Sequence, residues 1–249
     1  MTTNELAGTT AVVTGASSGL GRGIATALHR AGAHVVGVAR DPARLAGLQA
    51  QLGDGFTAAA GDASDPTVAG TLMDAYRPRT LALVAGASPL SRPLHKHTWE
   101  TFSSNWDVDV KHAFGWIREA LLMPLEPGST VIAMSSGAAV RGSPLSGGYA
   151  GAKATIRFMA GYAQDESERA GLGIRFLAVL PQLTPATELG AKAVAAYAAR
   201  AGLDLAAYRE QLGPELTPDA AGKAFVELVT NGELAGSFML TAGGLVPAP

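Results

Sequence analysis

Ser135-Ser136 and, after a short loop, Tyr149-Ala150-Gly151-Ala152-Lys153 are the residues of this chain whose types and spacing suit proton-transfer chemistry. Four positions on a helix make about one turn, so Tyr149 and Lys153 share a face. A free phenol ionises at about pH 10, too high for efficient acid–base work near neutrality. A lysine cation one turn away favours the phenolate and brings that value down. A serine hydroxyl close by can hold a substrate oxygen while negative charge grows on it. On chemistry alone either serine could serve.

The elements that must position these groups follow from hydrophobic patterning. Residues 129–134 (Ser-Thr-Val-Ile-Ala-Met) read as a buried strand ending at the serines, and residues 150–170 as a helix carrying the lysine. Upstream, the strand-like run 9–14 enters Gly15-Ala16-Ser17-Ser18-Gly19-Leu20-Gly21, and a helical pattern then runs through Ile24, Ala25, Leu28 and Ala31 to Gly32. Strand, glycine-rich turn and helix together form a dinucleotide-site context. Gly15 permits a tight turn, Gly19 and Gly21 clear space for phosphates, and the helix start offers unpaired N–H groups. A second strand is expected at 33–39, and it ends in Ala39-Arg40 with no acidic residue to bind a free ribose hydroxyl. A guanidinium pairs bidentately with phosphate, so Arg40 points to NADP(H), the other reading being a solvated loop arginine. Asp41-Pro42 reads as a helix cap followed by proline at the first helical position.

These motifs resemble the short-chain dehydrogenase/reductase family over essentially the whole chain. The resemblance rests on Thr14-Gly15-x-x-x-Gly19-x-Gly21, on Tyr149-x-x-x-Lys153 and on a serine 13 positions before the tyrosine, which selects Ser136. It implies a carbonyl/alcohol oxidoreductase of the ketoreductase kind, with Tyr149 as general acid/base, Ser136 on the substrate oxygen, and Lys153 tuning Tyr149 and holding the nicotinamide ribose. It places the cofactor on Gly15, Ser17, Ser18, Gly19, Leu20, Gly21, Arg40, Asp62, Ala63, Gly86, Tyr149, Lys153, Pro181 and Thr184. Asp62 resembles the family aspartate that contacts the adenine, and reads almost equally as a cap for a helix near Asp65-Pro66. Thr184 and Thr187 both fit the threonine that meets the carboxamide.

The chain departs from the family pattern in three places. Leu83-Val84-Ala85-Gly86 stands where the family has Asn-Asn-Ala-Gly, so the bracing of the central strands must differ. Asp109 takes the place of an asparagine whose backbone supports a water beside the lysine. A carboxylate there alters the proton relay and can interact with the Lys153 cation, so Asp109 joins the catalytic set. Pro181-Gln182 replaces Pro-Gly. The changed Leu83-Val84 and Asp109 positions leave room for a non-redox elimination or cyclisation on the same fold; a third reading, a cofactor-sensing protein without catalysis, is opposed by the intact Ser136, Tyr149 and Lys153.

At 249 residues, 47% hydrophobic and 16% charged, the chain can bury a large core without metal or disulfide support. It has no cysteine, which excludes a disulfide framework and a thiolate metal site. His95-Lys96-His97 lacks carboxylate partners and reads as polar loop, so no metal is expected. A net charge of −2 gives no support for nucleic-acid or polybasic membrane contact. Met1-Thr2-Thr3-Asn4-Glu5 lacks a leader's layout and no apolar run reaches a membrane span, so a cytoplasmic setting is expected.

Strands alternating with helices from residue 9 to 241 predict an α/β protein, a single Rossmann-type doubly wound domain over residues 1–249. Its sheet is expected to be seven-stranded and parallel, with helices on both faces. A long helix is expected at 98–122, with Trp99, Phe102, Trp106, Val110, Phe114, Ile117 and Leu121 as a core or subunit-interface stripe. Residues 185–215 should form one or two helices over the pocket, a lid in the family. The partners expected are a small carbonyl or alcohol substrate and a second copy of the chain, as homodimer or homotetramer.

Overall fold

The strand, turn and helix expected at 9–32 form as β1 (Thr10–Thr14) and α1 (Gly19–Arg30) in the computed structural model, which describes residues 4–249. Met1-Thr2-Thr3, part of the stretch read for a leader, lie outside the described residues. The chain then alternates: β2 (His34–Ala39), α2 (Pro42–Leu52), β3 (Phe56–Ala60), α3 (Pro66–Tyr76) and β4 (Thr80–Leu83). A long loop leads to α4 (Trp99–Asn105), a π-helical turn (Trp106–Val110) and α5 (Lys111–Leu122). Next come β5 (Thr130–Met134), the short α6 (Ala138–Arg141), α7 (Tyr149–Ala170) and β6 (Arg175–Pro181). The last part is α8 (Glu188–Ala201), α9 (Leu205–Leu212), α10 (Pro218–Thr230), β7 (Gly236–Thr241) and β8 (Gly244–Pro247).

Local chemistry sets the helix starts. Asp41 accepts hydrogen bonds from the Ala43 and Arg44 amides, and Asp65 from Thr67, each with proline at the next position. Thr98 and Thr101 cap α4 reciprocally.

The sheet order is β3-β2-β1-β4-β5-β6-β7-β8. The seven expected strands pair in parallel, and the order reverses between β1 and β4, where an open α/β sheet forms its ligand crevice. Alternate residues of each strand supply two cores. Ala11, Val13, Val35, Ile132, Leu177 and Val179 face α1 and α10, whereas Val12, Val36, Val131, Ala133, Phe176 and Ala178 face α5 and α7. Trp116, fully buried in the second core, donates its indole N–H to the Ala63 carbonyl at 2.9 Å.

Two expectations need correction. The sheet has eight strands, and the eighth runs antiparallel to β7. Thr241 makes this hairpin: its hydroxyl accepts from the Gly243 amide and donates to the Gly244 carbonyl, closing a turn whose exit glycine has φ 109°. The helix expected over 98–122 is interrupted by the π turn at Trp106–Val110. Ile117 is buried, but Trp99 (78% exposed) and Phe114 (54%) face outward. Among the described residues, no helix is long and apolar enough to cross a membrane.

Candidate active site

A cleft of about 680 Å³ opens at the C-terminal ends of β1, β4, β5 and β6. Gly15, Ser18, Gly19, Leu20 and Gly21 form one end, and Ser136, Tyr149 and Lys153 line another wall. Asp109, Gly86, Pro181 and Thr184 also border it. Twelve of the expected site residues therefore meet in one cavity. Ser17, Arg40, Asp62 and Ala63 do not line it: Arg40 is exposed just past β2, and Asp62 and Ala63 follow β3 on the flank of the cleft. The Asp62 carboxylate accepts from the Ser64 amide and hydroxyl, which hold it below the usual carboxylate range. The cap of α3 is Asp65 rather than Asp62.

The two serines have different surroundings. Ser135 is buried and donates to the Lys153 carbonyl at 2.6 Å, tying α7 to the end of β5. Ser136 borders the cleft and accepts from the Ala138 amide. The threonines differ too. Thr184 is buried, donating to the Leu216 carbonyl and accepting from Ala186, whereas Thr187 caps α8.

Lys153 lies 5% exposed beneath the cavity. Its ammonium donates to the Met134 carbonyl at 3.2 Å, pairs with Asp109 Oδ2 at 3.1 Å and sits 5.6 Å from the Tyr149 ring centroid. Burial disfavours the cation, but the Asp109 carboxylate and then Tyr149 outweigh burial and hold Lys153 above the usual lysine range. Asp109 stands in the π turn, a winding that often marks functional sites. Its Oδ1 accepts from the Ala87 amide at 2.7 Å, and Asn105 Nδ2 reaches its Oδ2 at 3.5 Å and the Ala87 carbonyl at 2.9 Å. A Cβ at Gly86 would lie 3.0 Å from Asp109 Oδ2, so this glycine makes room for the carboxylate.

Thr14 answers the question raised by Leu83-Val84. Its hydroxyl accepts from the Val84 and Ala85 amides at 2.9 and 3.1 Å, bracing the end of β4 against β1. Sequence reading also missed Asn105, although its i, i+4 spacing to Asp109 was the available signal. Ser143, bonded to Tyr197 of α8, and the rim residue Arg141 carried no such signal. Tyr208 of α9 also lines the cleft, and burial, then the Tyr197 phenol, push it above the usual tyrosine range. Arg44 of α2 pairs with Glu188 at the start of α8 at 3.3 Å.

The glycine-rich end fits a pyrophosphate. Ser18 makes no side-chain cap bond and α1 has no acidic residue in its first turn, so its leading N–H groups remain available beside the cleft. Among the described residues, no cluster of three His, Asp or Glu side chains could hold a metal ion.

Ser136, Tyr149 and Lys153 thus stand together on the wall of a crevice at the switch point of a doubly wound sheet. The chain belongs to the short chain dehydrogenase family, whose profile matches residues 9–198. It is 34% identical to an L-xylulose reductase of Mesocricetus auratus over 106 residues, and it spans 43% of that curated relative's length. Among solved structures, a short-chain dehydrogenase/reductase (glucose/ribitol dehydrogenase) from Brucella melitensis superposes with a TM-score of 0.82 at 21% identity, covering 96% of this chain and 97% of its own. A 3-ketoacyl-(acyl-carrier-protein) reductase from the same organism, complexed with NADH, gives 0.78 at 23% identity over 95% and 98%. A Beutenbergia cavernae protein with bound NADP gives 0.79 at 24% identity over 96% and 97%. At these identities the structures share the fold.

Proposed function

We propose that the protein is an NADP(H)-dependent reductase that interconverts a carbonyl and an alcohol on a small molecule. The observation that carries this reading is the convergence of Ser136, Tyr149 and Lys153 on the cleft that also holds the glycine-rich turn. When bound, the nicotinamide supplies or takes up the hydride. Gly15, Ser17, Ser18, Gly19, Leu20 and Gly21 would hold the pyrophosphate, and Asp62 and Ala63 the adenine. Gly86 would lie against the cofactor, Pro181 and Thr184 would border its nicotinamide end, and Lys153 would hold the ribose. Arg40, exposed beyond β2, would take the 2′-phosphate, while the neighbouring Asp41 is engaged as the cap of α2.

In the reducing direction the Ser136 hydroxyl donates to the carbonyl oxygen. Tyr149 passes its phenolic proton to that oxygen as charge develops, and the nearby Lys153 ammonium stabilises the phenolate left behind. The carbon gains a hydride and the oxygen a proton, which together make the alcohol. In reverse, the phenolate takes the proton back. Residues 185–215 act as a substrate lid within a single domain spanning 1–249, and Tyr197 and Tyr208 contribute its cleft-facing polar groups. Phe114 of α5 and Phe158 and Tyr162 of α7, all more than half exposed, support a homo-oligomer built on these helices, which sedimentation of the wild type checks.

Tyr149→Phe tests the mechanism. Turnover should vanish while NADPH still binds, measured by quenching of its fluorescence, and an active phenylalanine variant refutes the role. Arg40→Ala tests the cofactor preference. It should lower kcat/KM for NADPH at least about tenfold and leave NADH unaffected; equal losses with both cofactors refute it.

A further inference from the structure

We propose that Asp109 is a positioning residue that acts through Lys153: it is the built-in counter-ion of the ammonium, so that Tyr149 faces a nearly neutral ion pair and proton transfer is set to work at higher pH than beside a lone ammonium. The proposal deepens the function argued above and rests on it. It starts from geometry. The Asp109 carboxylate is 1% exposed, and three donors converge on its two oxygens: the Ala87 amide at 2.7 Å, Lys153 Nζ at 3.1 Å and Asn105 Nδ2 at 3.5 Å. An asparagine at this position would turn its own NH₂ towards one of those donors, so the surroundings call for a carboxylate. The π turn brings Asp109 to Lys153, and Gly86 leaves room for it.

The titratable groups facing the ammonium are Asp109 from the π turn, Tyr149 from α7 and His112 from α5. His112 is buried and held neutral, with its ionisation pushed down to about 3, first by burial and then by Lys153. The charge beside Tyr149 is therefore set by the Asp109–Lys153 pair. The carboxylate lies 3.1 Å from an ammonium that is itself 5.6 Å from the Tyr149 ring centroid. At this spacing the carboxylate's charge opposes that of the ammonium as felt from the Tyr149 ring.

Two experiments test this. In the first, kcat/KM for alcohol oxidation is measured against pH for wild type and Asp109→Asn. The limb that reports deprotonation should move to lower pH in the variant; an unmoved or raised limb overturns the proposal. The second needs no activity. Lys153→Met strands a buried carboxylate, so the double variant Lys153→Met/Asp109→Asn should melt higher than Lys153→Met alone. Losses that simply add overturn the counter-ion. If Tyr149→Phe remains active, the proposed function fails, while the melting comparison still reports on the ion pair.

Discussion

Gly21→Ala puts the geometry of the cofactor turn to a quantitative test. A Cβ at Gly21 would sit 2.8 Å from the Gly15 carbonyl carbon and closer still to its oxygen. That is about 1 Å short of ordinary carbon–carbon contact. The obstacle is backbone, so no side-chain rotation relieves it, and either the turn or the first turn of α1 must move. Overpacking of this kind costs about 1–3 kcal/mol. In a chain of this size each kcal/mol lowers Tm by about 2–4 °C, giving an expected drop of about 2–12 °C. The same shift pulls the N–H groups of α1 away from the pyrophosphate. Losing one charge-assisted hydrogen bond, worth about 1.5–3 kcal/mol, should weaken NADPH binding roughly 10- to 100-fold. Gly47→Ala is the matched control. It lies mid-way along the exposed side of α2 with nothing within 4 Å of the added methyl, and alanine there should stabilise by about 0.8–1 kcal/mol. Thermal melting and fluorescence titration with NADPH read both variants. If Gly21→Ala melts with the wild type and binds NADPH equally well, the close approach inferred for this turn is wrong.

The two adjacent serines should separate cleanly. Ser135→Ala removes a buried 2.6 Å bond to the Lys153 carbonyl and should cost about 1–2 kcal/mol in denaturant melts. Ser136→Ala loses only the longer bond from the Ala138 amide, should cost at most about 1 kcal/mol, and should lower kcat about 10²-fold or more; the opposite pattern would reverse their assignments. The buried His112 predicts acid sensitivity. Its neutral form is favoured in the folded state, with the value lowered from 6.5 to about 3. Its contribution is thus complete above pH 6.5 and is lost as pH falls from there towards 3. At pH 5 that loss is about 2 kcal/mol. Melts at pH 7.5 and pH 5 should show wild type losing about that much more than His112→Phe, and parallel losses would rule this out.

What the sequence disclosed depended on the range of the signal. The turn from Gly15 to Gly21, the cap at Asp41, and the tyrosine–lysine turn are local patterns, and each formed where its residues called for it. The alternation of apolar residues was enough for seven parallel strands. It was too brief over Leu245-Val246 to reveal the eighth, which exists because a threonine-closed hairpin folds it back onto β7. Contacts across long separations were harder to read. Nothing in the spacing of Thr14 marks it as the brace for Val84 and Ala85, some seventy positions later. The place of Asp109 was visible from family resemblance, but its direct pairing with Lys153 depends on the π turn, which no periodicity announced.

The loosened winding at Trp106–Val110 also governs how this protein could change length over evolution. The helix is pinned on both sides of it: the Phe102 carbonyl receives the Gly148 amide, and Trp116 holds the Ala63 carbonyl. Removing one residue between these pins would tighten the coil to ordinary pitch and swing the carboxylate by roughly 100°. An aliphatic neighbour would then be left facing the ammonium. Insertions at the exposed Leu94–Lys96 turn of the preceding loop face no such constraint, so length variation should collect there and skip the five residues of the wide turn.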